Sequence, residues 1–385
     1  MNKPSFAIVA PNFHPTTCGI GDHSLHLGEA LLRRGFSVEL FTRVPATPHP
    51  DAPHLIVHGV EGRTPLAIAE RIRRSLARSG ATHLILQYVP QLWGASRFGT
   101  PAAIWLATAA RRAGLKVIVI AHELFFDFAR RPDILVSAAL HRAQILAVAC
   151  ASDRFFVTTG TRATAFASLQ RAAHLPGPRP EVLRIGPGAF PHARIPQPGR
   201  MRLGLFSTLA GSKRFDLVLD GFARVWQRHP QSELVIIGDL GGAQDARLMA
   251  FRAAVERHPA RAQIRLTGKL TLHEVAAEMA ALDVYLFPMN TGANTRSSTL
   301  PVAMGTGLPV VAIRGAETDA DLFRDGDNIS FADALTGDAF ARAALAIIDD
   351  PALAARLSAG ARRLYDEHLE WERLVDGLLP KLQVT

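Results

Sequence analysis

What most limits the folds open to this 385-residue chain is a repeated switch of hydrophobic period. "FAIVA", residues 6 to 10, is a continuous apolar run of the kind that makes a strand buried on both faces. "HSLHLGEALLRRG", 23 to 35, instead sets Leu25, Leu27, Leu31 and Leu32 on one helical face and stops at Gly35. The switch recurs through "SVELFT" (37–42), "HLIVHG" (54–59), "PLAIAERIRRSLARSG" (65–80), "HLILQYV" (83–89), "PAAIWLATAARRAG" (101–114) and "KVIVIA" (116–121). Strand and helix in such short alternation require right-handed crossovers and a parallel sheet covered on both faces, an α/β architecture.

The alternation pauses at residues 185 to 199, "IGPGAFPHARIPQPG", where four prolines and three glycines fall in fifteen positions and predict a hinge or linker. It restarts with "RLGLFS" (202–207), "FDLVLDGFARVWQRH" (215–229), "ELVIIGD" (233–239), a helix over 246–255, "QIRLTG" (263–268), "LHEVAAEMAAL" (272–282), "DVYLFP" (283–288) and "LPVVAI" (308–313). Two helical stretches follow Gly337. At 48% hydrophobic the chain is rich enough for two cores, and two domains are expected, 1–190 and 200–365. Doubly wound sheets bind ligands beyond the carboxyl ends of their strands, so a cleft faced by both sheets is the expected site.

Charge is unevenly spread. Residues 1–190 hold 21 Lys and Arg against 11 Asp and Glu, and residues 191–385 hold 22 against 23, so the net +9 is +10 in the first half and −1 in the second. A basic half suggests an anionic partner such as a phosphorylated acceptor, an anionic membrane surface or nucleic acid; the alternative is a solvated arginine-rich face. Cys18 and Cys150 are too few for a metal cage or a disulfide framework, in keeping with a reducing compartment. No apolar run is read as a membrane span, no leader is read at the N-terminus, and the expected location is cytoplasmic.

Three loops between a strand and a helix offer anion sites, because a helix N-terminus presents free N–H groups and partial positive charge. The first, "PNFHPTTCGIGDHS" (11–24), has Gly19 and Gly21 for close approach of a ligand but lacks the third glycine of a dinucleotide fingerprint. The second, "FSTLAGSKRFDLVL" (206–219), places Thr208, Lys213 and Arg214 where a diphosphate would lie, without the glycine spacing of a Walker loop. The third is "FPMNTGANTRSSTLPVAMGTGLPVVAI" (287–313), with Arg296, Ser297, Ser298 and Thr299 expected in the first turn of a helix. One hydroxyl suffices for a cap worth about 1 kcal/mol, so the surplus reads as an anion cradle. At two of these loops a bland reading competes: the glycines turn the chain, and Lys213 is a solvated lysine.

The order of these motifs, with "VIVIAHE" ending at Glu123, "IIGD" at 236–239, "IRLTGKL" at 264–270 and "ALDVYLFP" at 281–288, resembles the family 4 glycosyltransferases of the GT-B fold along nearly the full length. The resemblance implies two Rossmann-like domains, with a C-terminal helix over about 366–385 packing back on the first, and a retaining, metal-independent transfer of a hexose. The nucleotide-sugar donor is a substrate rather than a cofactor and is held mainly by the second domain, the acceptor mainly by the first. Lys213 matches the family's diphosphate lysine, His122 the histidine at the donor sugar, Gly19 and Gly21 the loop over the donor's phosphate and sugar, and Gly268, Lys269 and Leu270 the turn lining the base. These residues form the expected site, with His122 and Lys213 as its catalytic members.

The chain departs from the family pattern at its usual glutamate pair, where it has Asn294 and Val302. Asn294 keeps a hydrogen-bonding group for a sugar hydroxyl and Val302 has none for a ribose. The family's arginine a few residues before the lysine is absent too, with Ser207 or Thr208 near its place, which shifts the anionic load to Arg296. His14, His23, Asp22, Tyr88 and Trp93 are acceptor candidates; Asp22 alternatively caps the helix, and core packing competes for the aromatics. "DAD" at 319–321 reads as solvated carboxylates in a helical segment rather than a metal pair. The acceptor is not readable beyond a lipid-linked or polysaccharide intermediate, with peripheral association at the inner face of an anionic membrane and no nucleic-acid partner expected. Two other readings stay open: a binding protein that has lost catalysis, and a sugar-nucleotide epimerase.

Overall fold

The computed structural model describes residues 3–16, 18–126, 131–195, 199–208, 212–240 and 245–382. The chain divides into two compact units, one of residues 1–184 with 371–385 and the other of 185–370.

The first unit runs β1 (Ser5–Val9), α1 (Gly19–Arg33), β2 (Ser37–Arg43), β3 (Ile56–Val60), α2 (Pro65–Ser79), β4 (His83–Tyr88), α3 (Ala102–Arg112), β5 (Lys116–Ala121), α4 (Pro132–Cys150), β6 (Arg154–Val157), α5 (Gly160–Ala172) and β7 (Pro180–Val182). Its sheet has the order β3-β2-β1-β4-β5-β6-β7, with every pair parallel. Phe6 lies between Val38 and His83 in register. The apolar runs are the central strands, and Phe6 to Val9 and Leu84 to Leu86 are wholly buried. Helix α2 shows how sequence sets the boundaries: Thr64 accepts the Ala67 N–H, Pro65 opens the helix, and Gly80 closes it in the left-handed conformation at φ 68°. Its buried stripe is Ile68, Ala69, Ile72 and Leu76. Chain direction along the sheet reverses between β1 and β4, so the loops after those two strands flank the switch point.

The second unit runs β8 (Met201–Phe206), α6 (Phe215–Arg228), β9 (Ser232–Ile237), α7 (Ala246–Glu256), β10 (Ile264–Leu266), α8 (Leu272–Ala280), β11 (Val284–Phe287), α9 (Thr299–Thr306), β12 (Val310–Ile313), β13 (Ser330–Ala332), α10 (Gly337–Asp349) and α11 (Pro351–His368). The order β10-β9-β8-β11-β12-β13, again parallel, puts its switch point between β8 and β11. The proline- and glycine-rich stretch expected as a hinge is, from 185 to 195, laid along this unit. Ile185 N–H reaches Thr295 O at 3.1 Å, Gly188 N–H reaches Ser298 O at 2.9 Å, and Ile195 N–H reaches Ala280 O at 2.7 Å. Arg194 adds an ion pair to Asp283 at 2.6 Å. Residues 196–198 lie outside the described residues.

The C-terminal helix expected over about 366–385 is interrupted near its start. Helix α11 ends where the Leu369 and Glu370 amides both bond to Tyr365 O, at 2.9 and 3.0 Å, and α12 (Trp371–Leu378) begins afresh. Helix α12 packs on α1 through buried Trp371, Leu374, Val375 and Leu378, with Arg33 paired to Glu372 at 2.7 Å and Arg34 to Asp376 at 2.6 Å. A second correction concerns the membrane. Helix α4, 19 residues of mean hydropathy 1.4, is long and apolar enough to cross a bilayer, although 44% of that stretch is buried against its own unit.

Candidate functional site

At the switch point of the second unit two of the predicted anion loops prove to be one structure. Lys213 and Met289 form a backbone bridge, Asn290 N–H donates to Ser212 O at 2.9 Å, and Arg214 N–H donates to Pro288 O at 2.8 Å. Below them Tyr285, wholly buried on β11, sets its hydroxyl 3.3 Å from Phe206 O and against the Thr299 side chain, tying the ends of β8 and α9 together. Lys213 is half-buried. Its Nζ donates to Thr208 O at 3.2 Å, and no carboxylate pairs with it among the described residues. Burial lowers its pKa to about 8. A desolvated ammonium without a counterion, at the carboxyl end of the central strands, is built for an anion.

The neighbours are distributed differently from the sequence expectation. Arg214 is turned to Asp216 at 2.6 Å, and Arg296 to Glu317 at 3.0 Å, so both cations already hold carboxylates. Asn294 is buried; its Nδ2 donates to Gly292 O and its Oδ1 accepts the Arg296 N–H, so it shapes the loop and presents no free group to a sugar. Val302 is fully buried in α9. The helix begins at Thr299, later than expected, so Arg296, Ser297 and Ser298 precede its first turn. Ser298 makes no side-chain cap, whereas Ser297 Oγ accepts the Thr299 N–H at 3.3 Å and bonds the Thr299 hydroxyl at 2.9 Å. Thr208 and Lys269 are exposed beside this region, Leu270 packs on the core, and Gly268 turns the chain at φ 73° opposite Gly238. Asp319 is no solvated acid: it accepts from Thr295 N–H and Thr295 Oγ1, outside any helix, while Asp321 is exposed.

In the first unit the loop after β1 separates its two glycines by role. A Cβ on Gly21 would lie 2.9 Å from Asn12 O, whereas one on Gly19 would meet nothing within 4 Å. Gly21→Ala is therefore expected to lower the unfolding midpoint by the cost of overpacking, about 1–3 kcal/mol. Gly19→Ala is expected to leave the midpoint unchanged and to weaken donor turnover; thermal melts of both variants with an activity assay check this. Asp22 is not the cap of α1, a place held by Cys18 without a side-chain bond; burial raises the Asp22 carboxyl to about 6. His14, half-buried, bonds Thr47 Oγ1 at 2.9 Å.

His122 follows β5. Its Nε2 bonds Gln87 Oε1 at 2.6 Å, its carbonyl accepts from Arg162, and its ring stands 4.8 Å from that of His23, itself 5.1 Å from Trp371. Burial first, then Arg162, lowers the His122 pKa to about 3, and burial with His122 and His26 lowers that of His23. Both ring nitrogens of buried His23 lack hydrogen-bond partners among the described residues. The unfolded chain binds protons at these histidines between their ordinary pKa near 6.5 and the lowered folded values, so stability falls as pH drops through that window. Melts between pH 7 and 5 are expected to show a loss of about 1 kcal/mol per pH unit per histidine, reduced in His23→Leu.

Tyr88 and Trp93 are not acceptor residues. Tyr88 is 0% exposed in the core of the sheet, and Trp93, at φ 59°, donates its indole N–H to Ala10 O at 3.2 Å. Core packing wins because alternation along β4 sends Tyr88 inward and gives the neighbouring Gln87 the other face. Gln87 and Arg162 were absent from the sequence reading, whereas His23 was read as an acceptor candidate; the only signal for Gln87 was a polar residue inside an otherwise apolar strand. Among the described residues no group of three or more His, Cys, Asp or Glu could hold a metal ion.

Residues 200–350 match the sequence model of the family described as glycosyl transferases group 1. Similar solved structures include HepE from Anabaena with UDP and glucose, 14% identical at TM-score 0.73 over 99% of this chain and 100% of that one. Sucrose-phosphate synthase from Thermosynechococcus elongatus is 16% identical at TM-score 0.71, covering 99% of each chain. The pneumococcal O-GlcNAc transferase GtfA, with UDP and GlcNAc, is 11% identical at 0.72 over 100% of this chain and 99% of that one. No curated protein matches this chain in sequence. Two parallel Rossmann-like sheets and these neighbours define a protein of the GT-B fold. The match to the group 1 glycosyltransferases lies within the second unit.

Proposed function

We propose that the protein transfers a hexosyl group, with retention, from a nucleotide sugar held by the second unit to an acceptor held by the first. The carrying observation is Lys213: a desolvated cation without a carboxylate, in a loop stitched to the 288–299 segment at the β8/β11 switch point. A donor diphosphate supplies the missing negative charge. When the anomeric C–O bond breaks, the bonding electrons go to the terminal phosphate oxygen, and Lys213 with the N–H groups at the start of α9 stabilises that charge. The departing phosphate takes the acceptor hydroxyl's proton on the same face, and no protein nucleophile enters. Neutral His122 serves as a hydrogen-bonding group for the donor sugar. Two of the similar structures hold UDP with a sugar, in keeping with this donor class.

Charge stabilisation by Lys213 and fixed dipoles leaves a metal no step of its own in this reading, and excess chelator is expected to leave the initial rate unchanged; a rate restored only by added divalent ion contradicts this. The excess of basic residues in the first unit favours an anionic acceptor, such as a lipid-linked phosphate on the cytoplasmic side or a growing polysaccharide. A screen of nucleotide sugars with mass analysis of products tests the assignment. Transfer or slow donor hydrolysis supports it; a thermal shift without turnover points to a binding protein that has lost catalysis, and an epimerised nucleotide sugar formed without acceptor points to an epimerase.

A further inference from the structure

The loop after β11 in the second unit is held from two directions. Its first part is bonded to the loop after β8, through the Lys213–Met289 bridge and the Asn290 N–H on Ser212 O. Its second part is bonded to the loop after β12: Glu317 N–H donates to Thr291 O at 2.8 Å, and Asp319 N–H donates to Ala293 O at 3.0 Å. Lys213 and Glu317 are therefore tied to Met289 and Thr291, two residues apart in one loop. The packing is close, since a Cβ on Gly315 would lie 2.3 Å from Thr291 C. Two carboxylates stand on the β12 loop, and they are used differently. Asp319 Oδ2 accepts the Thr295 N–H at 2.9 Å and the Thr295 hydroxyl at 3.1 Å, which builds the loop. Glu317 bonds no backbone with its side chain; its Oε2 accepts from Arg296 Nη1 at 3.0 Å, and Oε1 has no hydrogen bond among the described residues. The two side chains are 32% and 30% exposed, so the pair reaches solvent at the carboxyl ends of β11 and β12.

We infer that Glu317, steered by Arg296, accepts hydrogen bonds from hydroxyl groups of the donor's sugar and so selects the sugar that is transferred. Arg296 comes three residues before Thr299, the first residue of α9, so the carboxylate is fixed beside the helix start that faces the terminal phosphate. A bare carboxylate there would repel the diphosphate. Paired with the guanidinium it is neutral overall, leaves the phosphates to Lys213, and still presents an acceptor oxygen. Sugar hydroxyls are neutral donors, and an ionised acceptor gives them short, charge-assisted bonds, with oxygens enough for two adjacent hydroxyls. The loops on either side hold that oxygen in place through backbone bonds, as discrimination between sugars that differ in one hydroxyl requires. An exposed ion pair adds little to stability on its own. The chain nevertheless spends an arginine and a glutamate from two loops on this one, at the switch-point end of the sheet.

The inference rests on the proposed donor site, and diphosphate and nucleotide sugar are titrated separately so that failure of one can be told from failure of the other. Calorimetry is run with UDP, GDP and ADP, and with UDP-glucose, UDP-N-acetylglucosamine, GDP-mannose and ADP-glucose, on the full-length parent, Glu317→Gln, Glu317→Asp and Arg296→Gln. Glu317→Gln keeps the side chain's shape and frees Arg296 for the phosphates. It is expected to bind the diphosphate at least as tightly as the parent does, and the matching nucleotide sugar about ten- to hundredfold more weakly. Glu317→Asp keeps the charge but withdraws the oxygen, and its nucleotide-sugar affinity is expected to fall between the two. Arg296→Gln leaves the carboxylate bare and is expected to weaken the diphosphate and the nucleotide sugar together. Equal nucleotide-sugar affinity in the parent and Glu317→Gln overturns the inference. So does a Glu317→Gln protein that melts lower and loses both ligands, since the pair would then only hold the loops together. Binding of no diphosphate to the parent overturns the donor site itself, and the inference with it.

Discussion

Lys213→Ala is expected to lower kcat/KM for the nucleotide sugar about 10²–10³-fold, the usual cost of removing one charge-stabilising group from a transition state. The same variant is expected to melt no lower than the parent. A lysine whose folded pKa is lowered to about 8 by burial is a charged group the fold holds at a cost at neutral pH, so truncation relieves the fold as it damages the reaction. Sign and window follow from that value. The free protein loses the Lys213 proton as pH rises through about 8, and diphosphate binding needs the proton, so donor affinity is expected to fall about tenfold per pH unit above that point. Calorimetric titration across pH 7–10 measures this directly; a flat affinity would place the diphosphate elsewhere.

His122→Ala is expected to cost about 10²-fold in kcat without unfolding the protein. With its pKa lowered to about 3, His122 is neutral throughout the working range, so the parent should show no acid limb near pH 6 from this residue. Gln87 is a positioning residue: its Oε1, 2.6 Å from His122 Nε2, holds the Nε2–H tautomer and leaves Nδ1 to accept. Gln87→Glu puts a carboxylate beside the ring, which raises the His122 pKa, and an acid limb is expected to enter the pH–rate profile. Gln87→Leu should reduce kcat without that limb. Identical profiles for all three proteins would mean that the contact is only structural.

The architecture was legible because it rests on period. Fully apolar runs such as Phe6 to Val9 have no place except a sheet covered on both faces, and the amphipathic stretches between them have no place except against it. The placement of the candidate residues was legible where strand order carries it, with Lys213 between β8 and α6 and His122 directly after β5. It was illegible where a side chain's direction decides. Tyr88 and Gln87 are adjacent, and only the pairing of β4 with β1 and β5 shows that the aromatic is core and the amide is the neighbour of His122. Arg296 read as an anion ligand because Glu317, 21 residues away, gave no sign in sequence that it would pair with it. The 185–195 stretch read as a hinge because proline and glycine mark irregular backbone, which here is irregular and hydrogen-bonded to the second unit.

Titration of the nucleoside diphosphates UDP, GDP and ADP into the parent chain and into Lys213→Ala, followed by calorimetry at pH 7, tests the central claim most directly. At least one diphosphate is expected to bind the parent and to bind the variant at least about tenfold more weakly, as loss of a charge-assisted contact requires. Binding of equal strength to both proteins, or of none of the three to the parent, would contradict the assignment of a nucleotide-sugar site at the β8/β11 switch point.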